Sequence, residues 1–556
     1  ELDTVGRFFG EPQAGRRAVI GSVKSMIGHA MPASGMASLI KVALSVYHGV
    51  LPPTLNCDQP HPRLQRTAFK VLGKALPWNA PVTERLAGVN AFGFGGINAH
   101  LVLSGCAAGQ DHEKSALLKP VLRLAASSPQ ALLEQLDLYE KTGRVGRLAG
   151  NCRLAVLDPD TKRLAVARKA IVAGKPWMGR QQVWFTPSGL LSAGGKVAFV
   201  FPGVDSQFNP RTEGFETFFD KPLPEYSVPQ STSDNLLPVV LGLLGFNRYL
   251  FDRLSELRVL PDSYAGHSIG EWSAMLTSGM MDQSVSDMTN ASLKFDDFKF
   301  PDVRFLAASC SVQMLQQQFA GLERIELSHD NCPNQVIACG PQQQINTLAE
   351  RLASLGVFHQ VLPIVSGFHC SLFNGHLGWY KRFFDSVALR PTVDTVWSAT
   401  TAQPFPAKES DKKALAIEHL VKPVRFRETI LNMYESGVRV FVQVGYGSLP
   451  GFVSDTLGKL PHAALYSSHD SREGLLQLQH LCAALWVDGL DFSARLLPDC
   501  PVERPSNSAQ NVRLQLGVPA LGDVHVDLQA RHLQSQSTDL DDPDLNDEVG
   551  QLIRTT

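Results

Sequence analysis

Ser268 is the residue whose neighbours best fit it to act as a nucleophile, at the centre of AGHSIGEWSAMLTSGMM. GHSIG has the form G-x-S-x-G, which sets a serine on a tight strand-to-helix turn with its hydroxyl exposed and the next backbone N–H groups free at the helix N-terminus. Gly266 and Gly270 let the chain turn sharply and the two elements approach closely, while SYA before and WSAML after supply strand and helix. A serine hydroxyl is too weak an acid to attack an acyl carbon unaided. It needs a base within hydrogen-bond reach and donors for the oxyanion. The candidate bases are His267, His329, His369, His376 and His419. His267 adjoins the serine, but consecutive residues at a turn point apart, so it reads as structural.

Positioning such a site takes real cores, and 556 residues, 44% of them hydrophobic, allow about three to four domains. A formal net charge of −2 leaves no electrostatic footprint for nucleic acid or an anionic membrane. The opening ELDTVGRFFG lacks the basic and apolar regions of a signal peptide, and LLPVVLGLLGF is too short to span a bilayer and reads as a buried helix. Nine scattered cysteines with no C-x-x-C pair fit reduced thiols in a cytoplasmic protein, and no metal site is expected.

Residues 1–105 open as though inside a domain. The stretch VIGSVKSMIGHAMPASGMASLIKVALSVYHGVLPPTLN reads as a short strand, a loop, a helix rich in small residues (Ala33, Ser34, Gly35, Ala37) and a proline-terminated exit. RLAGVNAFGFGGINAHLVLS reads as two strands joined by a glycine-rich hairpin (Gly93, Gly95, Gly96). Both stretches resemble the C-terminal half of the thiolase-fold β-ketoacyl synthases. Lys24 and His29 fall on that family's K-x-x-x-G-H element, and GFGGINAH on its G-F-G-G-T-N-A-H, with Ile97 in the threonine's place. Condensing enzymes need a cysteine nucleophile in the first half of the fold and another histidine in an H-G-T-G-T segment expected just before the point where this chain starts, and neither is present. This ketosynthase-like segment cannot condense alone, and His29, an acid/base residue in a complete enzyme, reads here as a packed polar remnant. Cys310 in FLAASCSVQ superficially resembles a nucleophile turn but reads as a buried strand end.

Residues 106–193 run from CAAGQDHEKS through helix-like ALLEQLDLYEKTG to alternating RLAVLD and RLAVARK, a small α/β unit resembling the linker between ketosynthase and acyltransferase in modular synthases. Residues 194–497 follow, opening on KVAFVFPGVDSQF. Within them, residues 302–366 alternate strand, helix, strand (HDNCPNQVIACGP), helix, strand, a pattern similar to the ferredoxin-like subdomain of acyltransferases. Residues 498–556, polar and acidic, read as a post-domain strap and mobile tail.

GHSIGE followed by W, A and a TSG step resembles the active-site segment of the malonyl- and acyltransferases of fatty-acid and polyketide synthases. The fold so implied is α/β: an α/β-hydrolase-like core with a ferredoxin-like subdomain, preceded by the linker and the partial thiolase-fold segment. VSGFHCSLF resembles the family's segment around the catalytic histidine, which makes His369 the base expected for Ser268. KVAFVFPGVDSQF is similar to F-P-G-Q-G-S-Q with Val204 and Asp205 replacing glutamine and glycine. The backbone N–H groups of Ile269 and Val204 are the oxyanion donors so implied. In the family a backbone carbonyl orients the histidine, and KPVRF around Arg425 resembles the region expected to supply it.

Family members that load malonyl-type units hold the free carboxylate with an arginine about seven helical turns past the serine. Counting on from Gly279 puts Leu293 there, with Lys294 one residue on and about 100° away. An apolar residue at that anchor favours monocarboxylic acyl groups. The segment order resembles acyltransferase subunits of bacterial omega-3 polyunsaturated fatty acid synthases. The implied activity is serine-dependent acyl transfer between thioesters of coenzyme A or acyl carrier protein, with no bound cofactor. Implied partners are carrier-protein domains and other synthase subunits, with homodimerisation through the ketosynthase-like part. Two alternatives stay open: a thioesterase using the same Ser–His pair, and a docking or scaffold subunit.

Overall fold

The computed structural model describes residues 2–10, 17–31, 33–93, 96, 98–105, 114, 117–204, 207–224, 230–231, 236–282 and 301–500. Two compact units divide at Glu113/Lys114; the second ends at Arg504, and the tail beyond residue 500 lies outside the described residues.

In the first unit the helix Ala33–His48 packs on a hairpin of Leu86–Phe92 with Asn98–Ser104, paired without slippage from Leu86↔Ser104 to Phe92↔Asn98. Small residues on the helix permit this closeness: a methyl group added at Gly35 would lie 3.1 Å from Ala91 Cβ. Met36, Ile40, Leu44 and Tyr47, one stripe by helical spacing, remain largely exposed.

The second unit begins with a four-stranded antiparallel sheet in the order Val121–Ala126, Cys152–Leu157, Val183–Thr186, Trp177–Met178. Two helices cover it, Pro129–Thr142 capped by Ser128 and Thr161–Ala173 capped by Asp160, whose side chain accepts from the Arg163 N–H at 2.7 Å. The alternation of RLAVARK suggests a strand, yet residues 163–169 lie inside the second helix. Asp160 supplies the N-cap and Gly174 the left-handed C-cap, and Ala167, Ala170 and Ile171 recur at helical spacing on the buried face.

The central sheet carries six strands in the order Gln403–Pro404, Thr395–Ser398, Ser263–Gly266, Lys196–Phe201, Val438–Gln443, Ala463–Tyr466, all parallel except the first. Parallel strands buried on both faces need near-continuous apolar runs, which KVAFVF and VRVFVQ provide. LLPVVLGLLGF lies in the helix Leu236–Glu256, and the almost wholly buried Gly474–Asp488 joins the same core.

Between Val303 and Val365 a second four-stranded sheet rises in the order Glu326–Cys332, Gln335–Pro341, Val303–Ala308, His359–Val365, antiparallel throughout, with helices Val312–Gln317 and Gln342–Ser354. HDNCPNQVIACGP is thus not one strand but parts of two, turning at Pro333–Asn334. The chain order strand, helix, strand, strand, helix, strand is that of a ferredoxin-like unit. Arg427, from the helix Phe426–Glu435, ties this sheet to the core through Asp330, its Nε 3.0 Å from both carboxylate oxygens.

Candidate active site

The site forms where neighbouring parallel strands end. Lys196–Phe201 and Ser263–Gly266 run in register from Ala198↔Ser263 to Phe201↔Gly266, so the turns after Phe201 and after Gly266 leave the sheet side by side. The His267 N–H donates to Phe201 O at 2.9 Å, and the Gly270 and Glu271 N–H groups close the turn on the carbonyls of His267 and Ser268, each at 2.9 Å. Ser268 sits at φ 54°, in the left-handed region that lifts its side chain off the strand direction. Glycine on both sides is a steric requirement. A methyl group at Gly266 would lie 2.0 Å from the Glu271 nitrogen, and one at Gly270 2.1 Å from the Phe201 oxygen.

Ser268 Oγ lies 2.7 Å from His369 Nε2. His369, itself at φ 62° and almost wholly buried, is fixed by its own N–H to Leu420 O at 2.8 Å and by Nδ1 to His419 O at 2.9 Å. A carbonyl only accepts, so Nδ1 carries the proton and the Nε2 lone pair faces the serine hydroxyl. Burial, and then the neighbouring His419 ring, hold the His369 pKa well below the usual imidazole value. The base is neutral at physiological pH. The orienting carbonyl is therefore that of His419, not one at Arg425. Arg425 instead begins a helix: its carbonyl accepts from the Thr429 N–H at 3.0 Å, and its guanidinium pairs with Glu428 at 2.6 Å.

Ile269 and Val204 have backbone N–H groups with no protein acceptor among the described residues. The turn bearing Val204 lies against the nucleophile turn, since a methyl group at Gly203 would sit 2.7 Å from His267 O and 3.1 Å from Ser268 Cβ. Leu293 and Lys294 lie outside the described residues. Lys24 and His29 belong to the first unit, where both side chains are exposed. His29 is not packed, and its ring accepts from the Met31 N–H at 3.1 Å.

His267 and His329 line the same centre, whereas His376 stacks on Phe373 with ring centres 5.5 Å apart. His267 turns away from the serine, its Nε2 2.7 Å from Asn331 Oδ1 on the ferredoxin-like sheet. His329 stacks on His267 with ring centres 5.2 Å apart and meets His369 edge-on at 5.0 Å. The imidazoles form no group of three donors able to hold a metal ion among the described residues. Beside them, Trp272 lies one helical turn after Ser268 and stacks on Phe383 at 5.3 Å, and Phe368, next to His369, packs on Phe373 at 4.6 Å. The helix Gly378–Ser386 also brings Tyr380 to within 6.1 Å of the Phe368 ring centre, completing an aromatic cluster. Sequence reasoning weighed His419 only as a competing base, and singled out neither this cluster nor the His419 carbonyl. Aromatic spacing in GWYKRFF is ordinary core patterning, and a carbonyl contact has no side-chain signature.

Three family models match the chain: "Beta-ketoacyl synthase, C-terminal domain" over residues 1–58, "Ketoacyl-synthetase C-terminal extension" over 59–148 and "Acyl transferase domain" over 226–449. Among curated relatives, the mycoketide-CoA synthase of Mycobacterium tuberculosis is 26% identical over 537 residues, covering 89% of this chain and 13% of its own length. A polyunsaturated fatty acid synthase subunit of a Thraustochytrium species is 23% identical over 564 residues, covering 86% of this chain and 20% of its own length. The chain thus spans only a small part of the relatives it matches. Of solved structures, the acyl transferase domain of SpnD in complex with 2-(pent-4-yn-1-yl)malonyl superposes with a TM-score of 0.56 at 18% identity, covering 68% of this chain and 98% of that domain. The acyltransferase domain from module 8 of the salinomycin polyketide synthase gives 0.53 at 17% identity, covering 68% and 98%.

Proposed function

The chain carries an acyltransferase domain of the polyketide and fatty-acid synthase type, behind a ketosynthase C-terminal segment and its extension, and on that premise we propose that it moves acyl groups between thioesters through an ester on Ser268. The observation that carries this is the 2.7 Å contact of Ser268 Oγ with a neutral His369 whose far nitrogen is held by a carbonyl. His369 Nε2 takes the serine proton as Oγ bonds to the thioester carbon. The oxyanion so formed faces the N–H groups of Ile269 and Val204. Collapse breaks the carbon–sulfur bond, and the departing thiolate takes the proton back from His369. An incoming thiol then gives its proton to His369, attacks the ester and leaves with the acyl group, returning Ser268 to its hydroxyl form.

The acceptor is the phosphopantetheine thiol of a carrier protein or coenzyme A. The acyl group is monocarboxylic, because Leu293 replaces a carboxylate-binding arginine. A buried unpaired carboxylate costs several kcal/mol. The test is to load the protein from octanoyl-CoA, remove excess donor and add a phosphopantetheinylated carrier protein. Octanoyl-carrier forming faster than free octanoate supports transfer. Free octanoate alone, whatever acceptor is present, would make the protein a thioesterase.

A further inference from the structure

The transfer steps use His419 only through its carbonyl, yet its ring is 2% exposed and fully committed. Nε2 lies 3.0 Å from Ser268 O, and Nδ1 lies 2.8 Å from Thr400 Oγ1. Because the Ser268 carbonyl can only accept, Nε2 carries the ring proton, and Nδ1 accepts from the Thr400 hydroxyl. Burial pushes the ring down to about 4, so it stays neutral in this tautomer at physiological pH. Ser268 O accepts a second hydrogen bond, from the Glu271 N–H at 2.9 Å. Both lone pairs of that carbonyl are therefore held.

The carbonyl of Ser268 and the N–H of Ile269 belong to one peptide group. That group is planar and trans, so its C=O and N–H point in opposite directions. Holding the oxygen toward His419 therefore aims the Ile269 N–H the other way, out of the turn and toward the position of the oxyanion. Ser268 stands in a left-handed conformation that residues other than glycine adopt only when their surroundings enforce it, and the two hydrogen bonds to its carbonyl are part of those surroundings. We infer that His419 is a positioning residue for both halves of the machinery, its carbonyl orienting the base His369 and its ring fixing the Ser268–Ile269 peptide that supplies an oxyanion donor. The inference rests on the acyl-transfer reading above.

The test separates ring from carbonyl. Every substitution at 419 keeps the carbonyl, and glutamine places an amide N–H near the position of Nε2 while asparagine is too short to reach it. Octanoyl-CoA is mixed with each variant, and the rate constant for ester formation on Ser268 is read by rapid-quench mass measurement against donor concentration. The expected result for His419→Asn is a rate constant lowered about 30- to 100-fold with the donor's half-saturating concentration little changed, because an oxyanion donor acts in the transition state. His419→Gln should stay within about fivefold of the unaltered protein. Thr400→Val, nearly isosteric, removes the hydroxyl that donates to Nδ1 and holds the ring in place, and should lower the rate constant about three- to tenfold. It decides the question if His419→Asn does not fold. Equal rates for Asn and Gln, a change confined to the half-saturating concentration, or an unaffected Thr400→Val would overturn the positioning role. An unaltered protein that forms no ester on Ser268 overturns the acyl-transfer reading, and this inference with it.

Discussion

Replacing Gly270 by alanine tests whether the nucleophile turn is held in place by backbone packing. A methyl group there would meet Phe201 O at 2.1 Å, Phe201 C at 2.7 Å and Pro202 O at 2.8 Å, all backbone atoms at the end of a central strand that cannot rotate aside. Restoring an ordinary contact of 3.4 Å requires the helix start to move about 1.3 Å from the strand. Overpacking of this kind costs about 1–3 kcal/mol, and an immovable partner places Gly270→Ala at the upper end, a loss of roughly 4 °C in melting temperature for a unit of this size. Ser268 shares the displaced turn, so its 2.7 Å contact with His369 lengthens, and a shift of about 1 Å at a reacting atom lowers rates on the order of 100-fold. Gly451, exposed in the helix Leu449–Leu457 with nothing within 4 Å of an added methyl group, is the control. Gly451→Ala should stabilise by about 0.5–1 kcal/mol and leave loading unchanged. Thermal melts and ester formation from octanoyl-CoA read both effects. If Gly270→Ala melts and loads like Gly451→Ala, the strand and turn are not in the contact described.

Three further outcomes follow from the buried groups and the acyl anchor. Because His369 is held well below the usual imidazole range, the acid limb of the loading rate should fall well below pH 6.5; a midpoint at or above 6.5 would mean a solvated base. Glu271, wholly buried, is pushed up to about 8 by desolvation, so the folded form binds a proton that the unfolded chain releases near about pH 4.3. Its contribution is complete below that lower value and is lost as pH rises through 8; Glu271→Gln should flatten the decline between pH 6 and 8.5 in denaturant titrations, and an unchanged slope would show the carboxylate ionised in the fold. Leu293→Arg should shift competition between octanoyl-CoA and malonyl-CoA toward malonyl by tenfold or more, whereas malonyl preference in the unaltered protein would move the anchor elsewhere, Lys294 first.

The fold was legible where local chemistry and burial agree. GHSIG announces its turn because only glycine tolerates backbone within 2.1 Å on either side of the serine, and the apolar runs around it can only be buried strand and helix. RLAVARK misleads because its alternation is equally compatible with a helix, and the capping Asp160 decides. HDNCPNQVIACGP conceals a two-strand pairing whose turn lies at Pro333–Asn334, inside what reads as one segment. At the site, side chains with a distinctive setting could be named in advance. The His419 carbonyl could not, and the resemblance points too far along the chain, to Arg425, because a backbone acceptor depends on the path of the chain and not on the residue that carries it.

The most direct measurement is intact mass with peptide mapping after mixing the protein with octanoyl-CoA, carried out on the unaltered chain, Ser268→Ala and His369→Ala. One octanoyl group should appear on the peptide containing Ser268. It should be absent from Ser268→Ala, although that variant melts normally, and His369→Ala should form it at least about a thousandfold more slowly, since nucleophile and base act as a unit. An adduct that persists on Ser268→Ala, or that forms at the normal rate without His369, would contradict acyl transfer through this pair.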